Sequence, residues 1–166
     1  MLKKLGDKYP QIHPSAYISD TAYIAGDVEI GEESSVWPGV VIRGDYGSIK
    51  IGKRTNIQDN AVLHADDYLI IGDDVTVGHA AVVHCHKIGN DTLIGINSTV
   101  LGDAEIGDNC LVAAGSVVLE GTMVPNDSVV VGIPGKISHI KKELKSRVVQ
   151  SAINYKQNAK RYKDLQ

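Results

Sequence analysis

An all-β fold is predicted for this sequence: a parallel β-helix followed by a single C-terminal α-helix. Aliphatic side chains recur at a period of six residues over residues 11–133, which matches neither the 3.6-residue period of a helix nor the simple alternation of a strand. Hexapeptide repeats of this kind wind a chain into a parallel β-helix with three short strands in each coil of about 18 residues. Beyond Pro134 and Gly135 the apolar residues change to helical spacing.

Twenty aliphatic residues mark the repeat, and we call them anchors. At three anchors to a coil they make roughly seven coils. The six-residue step is interrupted at three places only, between Ile42 and Ile51, between Leu63 and Ile71, and between Val83 and Ile88. A repeat needs no irregularity for its stability, so we expect these three steps to serve a functional site.

The composition suits a narrow β-helix in a single domain of residues 1–166. The hydrophobic fraction is 43%, yet the chain has no Phe and one Trp. Small branched side chains favour strands and fill a narrow interior that large rings would not fit. We predict coils over residues 11–133 and a helix over residues 137–163, packed on the coils through one apolar stripe: Ile140, Leu144, Val148, Ala152, Tyr155, Ala159 and Tyr162.

Charge and cysteine content exclude several classes of protein. The net charge of −3 gives no electrostatic basis for binding nucleic acid or an anionic membrane. No apolar run approaches the roughly 20 residues of a membrane-spanning helix. Cys85 and Cys110 make no disulfide framework, which is typical of a reducing compartment. We therefore expect a cytoplasmic protein that binds neither nucleic acid nor membrane.

The repeat predicts which side chains stack on one another. Residues three anchors apart lie on neighbouring coils, with strands about 4.8 Å apart. His64 and His84 follow the anchors Leu63 and Val83, so they fall in one column, close enough to bind the same metal ion. Arg43 joins this column if the segment from Ile42 to Ile51 is one lengthened step.

A third histidine falls on a different face of the coil. His79 comes two residues after the anchor Val77, and the same count places Asp59 beneath it. One subunit therefore does not bring His79 to His64 and His84. A cyclic trimer would do so, because the face of one subunit that carries His79 would meet the face of its neighbour that carries His64 and His84. The spacing predicts a metal site between subunits.

The same residues resemble those of the γ-class carbonic anhydrase family. The resemblance covers about residues 10–140 and rests on these segments: Arg43-Gly44-Asp45, Asn56-Ile57-Gln58-Asp59, His64, Gly78-His79 and His84, with Ser34-Ser35-Val36-Trp37 before them and Gly132-Ile133-Pro134-Gly135-Lys136 after the coil. It implies a left-handed β-helix, a homotrimer, and reversible hydration of CO₂ to bicarbonate by a metal-bound hydroxide.

The resemblance also implies roles for individual residues. His64, His79 and His84 would be the metal ligands, with His79 supplied by the adjacent subunit. Arg43 would pair with Asp59 across the boundary, and Gln58 would contact the metal-bound water or bicarbonate. Zn²⁺ suits three imidazoles with an open position, while Fe²⁺ or Co²⁺ tolerates the same ligands.

The sequence departs from the family pattern at three points around the proposed site. Cys85-His86 follows the last histidine ligand where the family usually has Gly-Cys, and Tyr46 follows Arg-Gly-Asp where active members carry Glu. The long acidic loop that supplies a proton-shuttling Glu is reduced to Ala65-Asp66-Asp67-Tyr68. Candidate replacement relays are Asp66, Asp67 and His86. We expect Asp45 to be a residue of the site or of the turn beside it.

Other functions share the repeat. A hexapeptide acyltransferase would use acetyl- or acyl-CoA with one histidine as general base, although a single base does not account for three histidines. Thioester hydrolysis is a related possibility. A third is a trimeric scaffold in which the metal only holds subunits together, since the fold by itself does not determine function.

Overall fold

The computed structural model describes residues 1–164, which form a parallel β-helix of about seven coils with one helix at its C-terminus. In chain order the elements are β1 Leu2–Lys3, β2 Gln11–Ile12, β3 Tyr17–Ile18, β4 Tyr23–Ile30, β5 Ser35–Val36, β6 Val41–Ile51, β7 Asn56–Ile57, β8 Val62–His64, β9 Tyr68–Ile71, β10 Thr76–Val77, β11 Val82–Val83, β12 Lys87–Ile88, β13 Leu93–Ile94, β14 Thr99–Val100, β15 Glu105–Ile106, β16 Leu111–Val112, β17 Val117–Val118, β18 Met123–Val124, β19 Ser128–Val131, β20 Lys136–His139 and α1 Lys142–Lys163.

The strands stack into three faces. The first face consists of β1 and the beginnings of β4 and β6 with β8, β11, β14 and β17. The second consists of β2 and the ends of β4 and β6 with β9, β12, β15 and β18. The third face consists of β3, β5, β7, β10, β13, β16 and β19. Neighbouring strands within each face pair in parallel, so each column of side chains is fixed by the register of one coil on the next.

The anchors form the core, as the six-residue period predicted. Every anchor from Ile24 to Val130 is buried, while Ile12 and Ile18 are partly buried against the same core. Among the described residues this core cluster consists of aliphatic, alanine and cysteine side chains. Tyr17 and Trp37 lie outside the interior of the β-helix, where they pack against Ala159 of α1.

The three irregular steps lie at one corner of the coil, between the first and second faces. The step from Ile42 to Ile51 is the single long strand β6, which pairs with β8 before the corner and with β9 after it. On the next coil a short loop joins β8 to β9. On the coil after that, Cys85 lies in the connection between β11 and β12. The histidines of the first face therefore stand beside the irregular corner.

The C-terminal helix begins at Lys142, so its predicted start at residue 137 was wrong. Residues Lys136–His139 instead form β20, which pairs antiparallel with β19. The turn at Pro134 and Gly135 sends the chain back along the edge of the third face, where β19 offers unpaired backbone groups. Helix α1 then packs on the third face through Val148, Ala152 and Ala159. Within residues 1–164 no helix is both long and apolar enough to cross a bilayer.

Candidate metal centre

His64 and His84 stack on the first face, as the anchor count predicted. The register pairs Leu63 with Val83, and the residue after each is the histidine. The rings are 5.2 Å apart and nearly parallel, and His64 Nδ1 lies 3.1 Å from His84 Nε2. Two nitrogens bound to one tetrahedral zinc at about 2.0–2.1 Å are roughly 3.3 Å apart. The two imidazoles therefore fit a shared metal ion with little rearrangement.

A carboxylate orients the first of these imidazoles. Asp45 Oδ1 accepts a hydrogen bond from His64 Nε2 at 2.8 Å, which leaves the Nδ1 lone pair directed toward His84. Partial burial of Asp45 raises its pKa, but the hydrogen bond from His64 and the charge of Arg43 outweigh this effect, so the pKa lies below its usual value. An ionised carboxylate behind a histidine fixes its tautomer and is the usual arrangement behind a metal-ligating imidazole.

Arg43 lies in the same column as His64, because Ile42 pairs with Leu63 and the long step is a single one. Its Nη1 atom contacts Asp45 Oδ2 within the subunit. The side chain is 44% exposed. Tyr46 is 82% exposed, with its ring edge-on to His64 at 6.2 Å between centroids.

The short loop between β8 and β9 brings one carboxylate to the histidine pair. Asp66 Oδ2 lies 3.4 Å from His84 Nε2, and Asp66 Oδ1 lies 3.9 Å from His64 Nδ1. One ligand atom from each of these three residues lies within 4.8 Å of the other two, a grouping found nowhere else among residues 1–164. The adjacent Asp67 is exposed.

Neither of the two residues after His84 belongs to this cluster. Cys85 is buried in the core, and burial raises the pKa of its thiol to about 12, which favours the thiol over the reactive thiolate. His86 stacks on Tyr68 with 4.5 Å between ring centroids, and its Nε2 lies 3.3 Å from Asp103 Oδ1.

His79 lies on the third face, separate from the pair on the first. Its Nδ1 lies 2.9 Å from Asp59 Oδ2, since Val77 stacks on Ile57 as the count predicted. Its Nε2 lies 3.1 Å from the hydroxyl of Tyr155 on α1. Helical spacing predicted Tyr155 as part of the packing stripe only, although a half-buried tyrosine hydroxyl ordinarily needs a polar partner.

Gln58 is buried on the same face as His79. It is 4% exposed, and its Nε2 donates to Asn56 Oδ1 at 3.0 Å. Gln58, His79, Tyr155 and Ser151 line an open cavity of about 360 Å³ between the coil and α1. One subunit therefore carries two separate groups of polar residues: the histidine pair with its carboxylates on the first face, and His79 with Asp59 and Gln58 on the third.

Comparison with known proteins gives one family model and several relatives. The model of bacterial transferase hexapeptide (six repeats) matches residues 9–44 and 85–120. Gamma carbonic anhydrase 2, mitochondrial, of Arabidopsis thaliana is 34% identical, over 99% of this chain and 66% of its own length. The carbonic anhydrase of Geobacillus kaustophilus is 50% identical, over 61% of this chain and 57% of its own. The chain thus spans less than two thirds of either relative.

Two further proteins match over more of their own length. The carnitine operon protein CaiE of Escherichia coli is 33% identical, over 94% of this chain and 78% of its own. A solved structure from Bacillus cereus, described as a putative acetyltransferase, is 40% identical with a TM-score of 0.96, over 99% of this chain and 98% of the other.

Proposed function

The chain belongs to the γ-class carbonic anhydrase-like family of hexapeptide-repeat proteins, and on this basis we propose that it is a metal-dependent lyase that interconverts CO₂ and bicarbonate in a homotrimer. The relatives named as carbonic anhydrases are 34% and 50% identical to it. The observation that carries the proposal is the 3.1 Å approach of His64 Nδ1 to His84 Nε2 beside Asp45.

The proposed metal ligands are His64 and His84 of one subunit and His79 of the partner subunit, which together would hold Zn²⁺, Fe²⁺ or Co²⁺. A zinc ion bound by three imidazoles with an open position lowers the pKa of a bound water molecule to about 7. Asp45 and Asp59 are proposed to play the same role toward two of these ligands. Asp45 fixes the tautomer of His64, and Asp59 does the same for His79.

Other residues would position the substrate and remove the proton. The exposed part of Arg43 is proposed to reach Asp59 of the partner subunit, making a charge-assisted pair that fixes the boundary. Gln58 is proposed to donate its amide hydrogens to bicarbonate, which requires it to exchange its present bond to Asn56. Asp66, Asp67 and His86 remain the predicted relays, since a proton must leave the site in each turnover.

The test combines metal content, oligomer mass and activity. Protein purified without chelator is expected to contain about one Zn, Fe or Co per subunit in a trimer and to accelerate CO₂ hydration in a stopped-flow assay. His84→Ala should lose both the metal and the activity, while circular dichroism and mass stay unchanged.

The matched control is His13→Ala, which removes an exposed histidine that bonds to Ser15 far from the pair. It should retain the metal and the activity. Metal retained at wild-type stoichiometry in His84→Ala would remove the ligand assignment.

A second candidate is a CoA-dependent acyltransferase. The observation in its favour is the cavity on the third face, where His79 stands beside Tyr155 and Ser151, together with the likeness to the Bacillus cereus structure described as a putative acetyltransferase. This reading predicts that CoA raises the melting temperature of metal-free protein. The lyase reading predicts no such shift.

A further inference from the structure

We propose that Asp66 is itself a metal ligand, so that His64, His84 and Asp66 make a two-histidine, one-carboxylate site inside a single subunit. The inference rests on the proposed metal-dependent function and deepens it. In this arrangement metal binds first, and His79 of the partner subunit becomes a fourth protein ligand on assembly. Water would then occupy a fifth position, and Asp66 would act as a ligand in place of the relay role named above.

The distances between the three residues carry the proposal. His64 Nδ1 lies 3.1 Å from His84 Nε2. Asp66 Oδ2 lies 3.4 Å from His84 Nε2, and the other oxygen of the carboxylate, Oδ1, lies 3.9 Å from His64 Nδ1. Ligand atoms about 2.0–2.2 Å from one metal ion at tetrahedral angles are roughly 3.3–3.5 Å apart. The nitrogen–nitrogen distance and the distance from His84 Nε2 to Asp66 Oδ2 are close to that value, and the distance from His64 Nδ1 to Asp66 Oδ1 is about half an ångström longer.

The backbone holds Asp66 in this position although its side chain is 75% exposed. The carbonyl oxygens on either side of it are both tied to β6: Gly47 N–H donates to Ala65 O at 3.0 Å, and Ser48 N–H donates to Asp67 O at 3.1 Å. Ala65 is buried in the core. The close approach requires a glycine, since a Cβ at Gly47 would stand 2.1 Å from Asp67 O.

The shortened loop has a consequence for metal choice. Two imidazoles and one carboxylate with open positions form the ligand set found around non-haem Fe²⁺, and zinc also accepts it. A carboxylate oxygen adds negative charge to a site that imidazoles alone leave neutral. Asp66 is therefore expected to strengthen binding of any divalent ion and to sustain binding when His79 is absent.

The experiment measures Zn²⁺ and Co²⁺ dissociation constants by chelator competition on the full-length wild-type protein, Asp66→Asn, His79→Ala and the double variant. Asp66→Asn should weaken binding by at least roughly tenfold, the scale reported for groups that support metal ligands. It should also change the visible absorption spectrum of the Co²⁺ protein. His79→Ala should retain metal, and the double variant should bind it far more weakly than either single variant.

The matched control is Asp67→Asn, which removes the same charge one residue further along the exposed loop and should bind metal as the wild type does. Asp66→Ala serves as a second variant, and oligomer mass and circular dichroism verify folding in each case. Equal affinities for Asp66→Asn and Asp67→Asn overturn the inference and leave the proposed function standing. Loss of metal from His79→Ala as complete as from the double variant also overturns it. A wild-type protein that binds no metal overturns both.

Discussion

At the residue scale, the glycines of this chain serve close approach between coils more than unusual backbone angles. Gly72 has an ordinary φ, yet a Cβ there would stand 2.5 Å from Asn90 Oδ1 and 2.9 Å from its amide nitrogen. The positive φ of that corner falls two residues later, at Asp74 with φ 56. Asp and Asn tolerate this conformation because their short polar side chains bond locally.

Gly26, beside the candidate metal centre, has both a positive φ and a close backbone neighbour. It has φ +81, and it pairs with Gly44, the residue that joins Arg43 to Asp45, just before a bulge in β4. A Cβ at Gly26 would stand 2.1 Å from Gly44 O. A side chain at Gly26 would push the backbone of β6 at Gly44 and so move Asp45. Substitution of Gly26 should therefore disturb the hydrogen bond between Asp45 and His64.

The first prediction concerns Gly26→Ala, with Gly121→Ala as its control. Gly121 also has a positive φ, +67, but nothing lies within 4 Å of a Cβ there. Gly121→Ala should cost only the left-handed conformation, about 1–2 kcal/mol of the free energy of unfolding. Gly26→Ala should cost about 1–3 kcal/mol more, measured by urea unfolding. Equal losses of unfolding free energy in the two variants would show that the predicted clash at Gly26 does not affect stability.

At the element scale, helix α1 is attached to the coil by an acidic residue of an early corner. Glu33, at φ 54, reaches Lys156 Nζ at 2.6 Å and Lys160 Nζ at 3.5 Å. The hydrogen bond from Lys156 holds the pKa of Glu33 below its usual value, against a smaller opposing effect of burial. The same helix carries Tyr155, whose hydroxyl lies 3.1 Å from His79 Nε2.

The second prediction is that this attachment weakens in acid. A lowered folded-state pKa gives stability that is complete above the ordinary pKa of Glu, near 4.5, and that is lost as pH falls through the folded-state value. At pH 7, Glu33→Gln should speed hydrogen exchange of the α1 amides by about 1.5- to 5-fold, the equivalent of 0.2–1 kcal/mol for exposed ion pairs. Below the folded-state pKa the variant and the wild type should exchange alike.

The control for this prediction is Glu32→Gln. Glu32 is the neighbouring acidic residue, and its carboxylate faces Lys53 at 3.6 Å. Its removal should leave exchange in α1 unchanged at every pH. A difference between Glu33→Gln and wild type that persists at low pH would show that the charge of Glu33 is not what attaches the helix.

At the scale of the whole molecule, the two separated groups of polar residues predict that function needs assembly. The histidine pair lies on the first face, and His79 with Asp59 lies on the third. In the proposed cyclic trimer each boundary would join one face of each kind. Every subunit would then contribute to two sites and complete neither of them alone.

The third prediction is that two inactive variants restore activity to one another. Trimers of His79→Ala lack the ligand from the third face, and trimers of His84→Ala lack one from the first. In trimers refolded from an equal mixture, about a quarter of the boundaries combine an intact first face with an intact third face. CO₂ hydration should therefore return toward about a quarter of the wild-type rate per subunit. No recovery in verified mixed trimers would contradict a site shared between subunits.

The coil and the columns of this protein could be predicted from the amino-acid sequence. The period of six fixes which residues enter the core, and parallel pairing repeats that register from coil to coil, so the stacking of His64 with His84 and of Asp59 with His79 followed from counting anchors. The sequence left open whether the segment from Ile42 to Ile51 is one lengthened step, and the register of Arg43 with His64 confirms that it is.

Features that the repeat does not control depend on the folded chain. The direction of Asp66 toward the histidines depends on how a four-residue loop is tied to β6, and the contact of Tyr155 with His79 depends on where α1 lies. The antiparallel strand Lys136–His139 formed where a helix was predicted, because an open sheet edge met the returning chain. Loop paths, side-chain rotamers and edge pairing are set by contacts between residues distant in sequence, and a local period carries no information about them.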